Sequence, residues 1–382
     1  MEKVKLNELA DIYLGVTHTP EYVFEGVPFL SVKDISGGKI YFDDCKYISK
    51  EEYDSLSEGA KPKVGDMLFC RVGTLGKPII IPEGTPLFGS FVSLGYLRNR
   101  NSDRCDLNYL RYWMYSNSFW KQVNANVKGA SQVNLNTGWL SKFDIDLPGI
   151  AEQRYRISVL DKCKSVIEKR EAELAALDDL IKARFVEMFA NWKEKYLAEP
   201  LGKYLQDITY GFTSPMPDAK EGPWKVTAKD VVNGIVNLDT ARKTLQESYD
   251  KLTEKSKPQV GDVLLTKDGT LGRTAVVEIE GICVNQSVAV LRTNEKILPK
   301  YLSVLLQMPK YQRDMIADAG GGTIKHIYIT KVVNMPIVVP SSEEQNTFLG
   351  FINQVDKSKV AVRKALEETQ LLFDSLMQQY FG

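Results

Sequence analysis

Residues Lys61–Lys77 read KPKVGDMLFCRVGTLGK, and residues Lys257–Arg273 read KPQVGDVLLTKDGTLGR. The two stretches lie 196 residues apart, align without a gap, and are identical at ten of seventeen positions. A repeat of that density marks an internal duplication. Outward from it the copies keep matching. Leu9, Ile12, Gly15 and Thr17 recur as Leu205, Ile208, Gly211 and Thr213, and Lys33-Asp34 recurs as Lys229-Asp230. Beyond the motif the offset falls to 192, a net loss of four residues between Lys77 and Tyr109. Tyr109-Leu110 then matches Tyr301-Leu302, Gly129 matches Gly321, Pro148 matches Pro340, and Glu152-Gln153 matches Glu344-Gln345.

The length of 382 residues predicts more than one core. Apolar residues make 43% and charged residues 26%, as in globular proteins. Lys+Arg and Asp+Glu both total 49, so the net charge is zero. A free-standing nucleic-acid binder is usually basic, because phosphate neutralisation carries much of its affinity. Neutrality argues against a chain that grips DNA alone, and leaves room for local basic faces or a partner that supplies charge. The five cysteines are scattered without a CxxC pair, and with two histidines, His18 and His326, no zinc set is visible. Reduced thiols and a cytoplasmic location are expected. No apolar run suits a signal peptide or a membrane span.

In order along the chain, residues 1–148 predict a mixed unit of short strands and helices. LNELADIYLG reads as a short helix or turn into Gly15. Val27–Phe42 reads as two strands about Gly37-Gly38. Strands are expected over Val64–Phe69, Pro78–Ile81 and Leu87–Leu97, a helix over Asn108–Val123, and a strand ending at Leu147-Pro148. From residue 149 to 190 the pattern changes. Apolar residues fall at Ile157, Leu160, Cys163, Ile167, Leu174, Leu177, Ile181, Phe185 and Met188, in steps of three, four or seven. This is a long amphipathic helix of ~57 Å with coiled-coil spacing. Residues 191–200 read as a linker, 201–340 as the second module and 341–382 as a second long helix, with Ser341 or Ser342 as its N-cap. The fold class is therefore α+β: two tandem modules, each followed by a long helix. Each helix offers the other its obvious partner. An antiparallel coiled coil would make the pair a spacer with the modules at opposite ends.

GTLGK at Gly73–Lys77 does not satisfy the phosphate-loop pattern GxxxxGK[ST], since Arg71 stands where the first glycine belongs and Pro78 follows the lysine. Two readings stand. One is a turn that requires glycine between strands. The other adds the flanking cations Arg71/Lys267 and Lys77/Arg273, which with Thr74 and Thr270 would suit a phosphate backbone. Asp66 and Asp262 in VGD read as turn residues bonded to backbone amides, not as a catalytic pair. GASQVNLN (Gly129–Asn136) corresponds to GGTIKHI (Gly321–Ile327). The frame is kept while Gln132 and Asn134, against Thr323, Lys325 and His326, differ in type. These stretches are either solvated loops or carriers of base-reading side chains. Phe88–Val92 aligns loosely with Val284–Val288, adding Ser90, Asn285 and Gln286 as candidates. The aromatic run Tyr109–Trp120 reads as core. No nucleophile, metal set, methyl-donor site or cofactor loop is visible.

Three features together resemble the specificity subunit of Type I restriction–modification systems: the duplicated VGD-x-L…GTLG[KR] motif, the LP-x-x-AEQ and VVP-x-x-EEQ lead-ins (Leu147–Gln153, Val338–Gln345), and the order module, helix, module, helix. The resemblance covers nearly the whole chain. It implies that each module is a target recognition domain reading one half of a split double-stranded DNA sequence, with the paired helices setting the gap. It also implies two docked modification (methyltransferase) subunits that hold S-adenosylmethionine, restriction subunits that cleave, and no catalytic site or cofactor on this chain. An orphan or exchanged subunit of the same fold, or a scaffold holding two protein-binding modules apart, are the alternatives.

Overall fold

The computed structural model describes residues 2–73, 75–126, 134–189, 196–317 and 326–382. The chain divides into two compact units, Met1–Ala172 with Val362–Gly382, and Glu173–Ala361. Each contains one module and a segment of both long helices.

In the first unit the duplicated motif forms the centre of a four-stranded antiparallel sheet, ordered Ala10–Leu14, Leu94–Asn99, Met67–Cys70 and Gly76–Ile80. All four residues of Met67–Cys70 are buried, because both faces of the strand are covered. Met67 and Phe69 face a core that includes Tyr109, Trp113, Phe119 and Leu160. Leu68 and Cys70 face a second core with Leu30, Ile79 and Phe88. A covered strand reads as a continuous apolar run rather than an alternating one. The glycines of the motif answer to its turns. Gly65, Gly73 and Gly76 have φ of 86°, 69° and 77°, which other residues adopt at a cost.

The second unit repeats this sheet as Leu205–Tyr210, Val288–Thr293, Val263–Thr266 and Thr274–Val276. Gly261, Gly269 and Gly272 take φ of 93°, 76° and 78°. Val263 and Leu265 face one core and Leu264 another. In both units a second sheet has a parallel pair at one edge. The pairs are Gly89–Ser90 on Val27–Leu30, and Ile282–Val284 on Ala219–Val226. Gly15 and Gly211 recur because the backbone passes so close that a Cβ would lie 2.2 Å from the Ser90 carbonyl oxygen and 1.7 Å from that of Val284.

Several sequence expectations are corrected. LNELADIYLG is helical only over Leu6–Leu9, and Ala10–Leu14 is a strand, since pairing with Leu94–Asn99 overrides the local pattern. Val27–Phe42 holds the strand Val27–Leu30, a 3-10 turn Val32–Asp34 and a separate hairpin about Gly37-Gly38. Leu87–Leu97 is two strands, Gly89–Ser90 and Leu94–Asn99, in different sheets. The single helix expected over Asn108–Val123 is two, Leu107–Tyr115 and Asn117–Asn126. The break is the extended Ser116, whose Oγ donates to the Trp113 carbonyl at 2.7 Å. Its counterpart break is Met308-Pro309, where proline cannot continue the helix. Glu199–Pro200, expected in the linker, pairs as a strand with Pro336–Ile337.

The long helices span Ile150–Phe189 and Ser342–Phe381. Ser341 caps the second, its Oγ accepting from the Glu344 amide at 3.4 Å. In the first unit Arg156, near the start of one helix, lies over the ring of Tyr380, near the end of the other. In the second unit Phe185 and Phe189, near the end of the first helix, pack on Phe348, near the start of the second. Both pairings join a start to an end, so the helices run antiparallel.

Candidate nucleic-acid interface

The duplicated hydrogen bonds give the true register of the modules. The Arg71 amide donates to the Ser93 carbonyl at 2.9 Å and the Lys267 amide to that of Ser287 at 2.8 Å. The Ser93 and Ser287 hydroxyls each accept from the backbone, from Val32 N and Ala228 N, at 3.2 Å. Ser93 therefore corresponds to Ser287, at an offset of 194. The loss of four residues is two losses of two, one on each side of this strand. The loose pairing of Phe88–Val92 with Val284–Val288 is corrected by two positions. Ser90 corresponds to Val284, Phe91 to Asn285 and Val92 to Gln286.

The register also exposes a residue pair that sequence reading missed. Asp66 is buried and accepts Nε and Nη2 of Arg98 at 2.9 and 2.7 Å, while Asp262 accepts the same atoms of Arg292 at 2.9 and 2.8 Å. The same carboxylates accept the amides of Lys63 and Gln259, as expected for a turn aspartate. The bond to Asp66 raises the Arg98 pKa above the ordinary arginine value, and Asp262 does the same for Arg292. The arginines could have been found at the shared offset of 194, where LRN and LRT align.

At the far end of the central strand each module joins its motif to the polar stretch. The Leu135 amide donates to the Arg71 carbonyl at 3.0 Å, and the Ile327 amide to the Lys267 carbonyl at 2.9 Å. Around this shared bond the side chains part. Arg71 is buried. Its Nε donates to the Leu135 carbonyl at 3.0 Å and its Nη1 to the Val92 carbonyl at 2.9 Å. Burial lowers its pKa. It is a strut inside the module, contrary to the expectation of a phosphate-facing cation.

Lys267 instead bonds Asp268 at 2.8 Å and lies 5.5 Å from the centre of the Tyr210 ring, which is 52% exposed. Asp268 also bonds His326 Nδ1. Burial pushes the Asp268 carboxyl up, but the His326 and Lys267 contacts outweigh it and hold its pKa below the usual carboxylate range. The His326 side chain is 43% exposed. Tyr210 and Asp268 join this cluster unannounced by the sequence.

The remaining candidates separate. Thr74, Gln132, Thr323 and Lys325 lie outside the described residues. Asn134, Thr270, Arg273 and Gln286 are exposed. Lys77 is half-buried with φ of 48°. Asn285 uses its Oδ1 to accept from the Ser287 amide at 3.3 Å and hydroxyl at 2.5 Å, a local turn bond. Ser90 is fully buried, its Oγ without a hydrogen-bond partner among the described residues, so it cannot reach a base. The aromatic run is core as expected, with Tyr109, Trp113 and Phe119 buried. No helix among the described residues is long and apolar enough to cross a membrane.

Known proteins match this arrangement. Residues 216–369 match the model of the Type I restriction modification DNA specificity domain. The chain is 24% identical over 296 residues to the Type I restriction enzyme EcoBI specificity subunit of Escherichia coli, covering 68% of this chain and 62% of that protein. It is 24% identical over 188 residues to the MjaVIII specificity subunit of Methanocaldococcus jannaschii, covering 45% and 41%. The matched part therefore spans less than two thirds of these curated relatives. Among solved structures, a chain from a study of assembly and conformational transition of the type I R-M system matches with a TM-score of 0.56 at 17% identity, covering 100% of this chain and 97% of the other. The Type-I restriction-modification system S subunit from M. genitalium matches with a TM-score of 0.55 at 15% identity, covering 100% and 96%. The resemblance carried by the duplicated motif is thus borne out: the second module matches the Type I restriction modification DNA specificity domain, and the whole chain has the fold of type I specificity subunits.

Proposed function

We propose that this chain is the sequence-reading subunit of a Type I restriction–modification complex. It reads a split, asymmetric double-stranded target, with one half assigned to each module and the gap set by the helix pair. The supporting observation is that one backbone frame, repeated bond for bond, carries different side chains at the end of its central strand. A dimer of identical readers would read a palindrome. Two diverged copies in one chain favour unlike half-sites. Helices of 40 residues are ~60 Å long, which limits the gap to about 17 base pairs at ~3.4 Å each.

The chain supplies recognition and no catalysis. Two modification subunits, holding S-adenosylmethionine, dock on it, and restriction subunits complete the assembly. Partners that grip phosphates resolve the neutral charge of the chain. Contacts in the second module come from Lys267, Thr270, Arg273, Gln286, Thr323, Lys325 and His326, and in the first from Thr74, Lys77, Gln132 and Asn134. Arg71, Ser90 and Asn285 leave the set because their surroundings occupy or enclose them.

The test is to co-express the chain with a Type I modification subunit with which it forms a complex, in a host without DNA methylation, and to map modified bases across the genome. A split asymmetric motif with a fixed gap is expected. No motif from an assembled complex, with a known subunit working in parallel, overturns the proposal.

A further inference from the structure

Each long helix begins with a glutamine in its first turns, Gln153 and Gln345. Glutamine there ordinarily faces water, yet both are fully buried. Gln153 Nε2 donates to the Pro148 carbonyl at 2.8 Å and to the Arg104 carbonyl at 2.9 Å, while its Oε1 accepts from the Asp106 amide at 3.0 Å. Gln345 Nε2 donates to the Pro340 and Lys296 carbonyls, both at 2.9 Å, and its Oε1 accepts from the Leu298 amide at 2.8 Å. Both N–H groups and one acceptor site of each amide are satisfied.

The partners have a common logic. Pro148 and Pro340 end the strand or turn that feeds the helix. Residues 104–106 and 296–298 lead into the helices Leu107–Tyr115 and Pro299–Gln307. One side chain thus joins the helix start to two separate segments of its own module, and all three bonds go to backbone. The device does not depend on side chains that diverge between copies: Arg104 and Asp106 in one stand where Lys296 and Leu298 stand in the other. Buried polar networks with every bond made are rigid, and are costly when half-broken.

We propose that Gln153 and Gln345 are positioning residues that fix the direction in which each helix leaves its module, and through it how strictly the gap between half-sites is kept. This rests on the function proposed above. The lever is geometric: a tilt of roughly 5° over a helix of ~60 Å swings its far end sideways by about 5 Å, enough to loosen how a module is aligned with the half-site it faces. The glutamines touch no base, so half-site identity is independent of them.

The test uses the full complex of this chain with its modification subunits. Methylation is measured on duplexes that keep both half-sites while the gap is the native length, one base pair shorter or one longer. Gln153→Met and Gln345→Met keep the volume and lose all three bonds. Each is expected to raise methylation of the altered-gap duplexes, relative to the native gap, by roughly tenfold, the factor about 1.4 kcal/mol carries. Half-site preference stays as in wild type. Gln153→Asn and Gln345→Asn keep the amide on a shorter arm, and carry the test with a smaller broadening if the methionine variants do not fold. An unchanged gap profile in a folded variant, or a loss equal at all gaps, overturns the inference alone. A wild-type complex that methylates no split target overturns the underlying reading as well.

Discussion

Arg71 and Lys267 occupy the same place in the two modules, yet they are tied to different partners. The backbone around them is the same, with amides bonded to Ser93 and Ser287 and carbonyls bonded to Leu135 and Ile327. Arg71 is closed over by Leu135 and Val92, while Lys267, its side chain 18% exposed, is tied to Asp268 beside His326 and an exposed Tyr210. The difference shows how the module can change what it presents without changing its fold. The frame is held by backbone bonds and by buried groups repeated in both copies, so the side chains at the strand end are free to diverge.

The strongest way to break this comparison is to exchange residues 1–148 for the first module of another specificity subunit. One half-site is expected to change entirely and the other not at all, as read by mapping modified bases. A change in both would end the modular view.

The frame itself is tested by Asp66→Ala, which strands the Arg98 guanidinium and the Lys63 amide, and should cost about 3 kcal/mol in chemical denaturation. Asp262→Ala should cost less, because the Arg292 side chain is 34% exposed against 25% for Arg98 and retains more water. Equal or negligible losses would show that the two pairs do not hold the sheets as their geometry implies.

The contrast sharpens at the strand end. Arg71→Ala removes the donor to two carbonyls and should destabilise by about 2 kcal/mol. Lys267→Ala should cost less in stability, because Asp268 keeps its His326 contact, while weakening binding to a duplex carrying the second half-site. Similar melting curves for the two variants would remove the distinction.

The smallest effect is pH-dependent. The Asp268 pKa is depressed in the folded protein, so its contribution is present above the ordinary aspartate value of about 3.9 and is lost as pH falls through the lowered folded value. Asp268→Asn should flatten stability against pH in that acid window. The same slope in wild type and variant would show that the cluster is not coupled as drawn.

Much of this molecule is legible in the sequence because duplication supplies an internal control. VGD and GTLG recur since glycines with positive φ cannot be replaced cheaply, and the stripes of the long helices survive since each needs a partner. The site is less legible. The offset of 194 covers only the segment around Leu94–Asn99, so the Arg98 and Arg292 pairing and the equivalence of Ser93 and Ser287 were hidden between two small deletions. Arg71 and Lys267 look interchangeable as conserved charge. Nothing local says that one guanidinium will find two carbonyls, from Val92 and Leu135, far along the chain.

By itself the sequence determined the order module, helix, module, helix, the turns that demand glycine and the need of the two apolar stripes for each other, because these follow from local geometry and periodicity. Only the tertiary structure decided which polar side chains are enclosed and which are offered. Burial of Arg71, Gln153 and Gln345 depends on partners distant in the chain, and a polar group is committed to structure only when folding brings those partners within hydrogen-bonding distance.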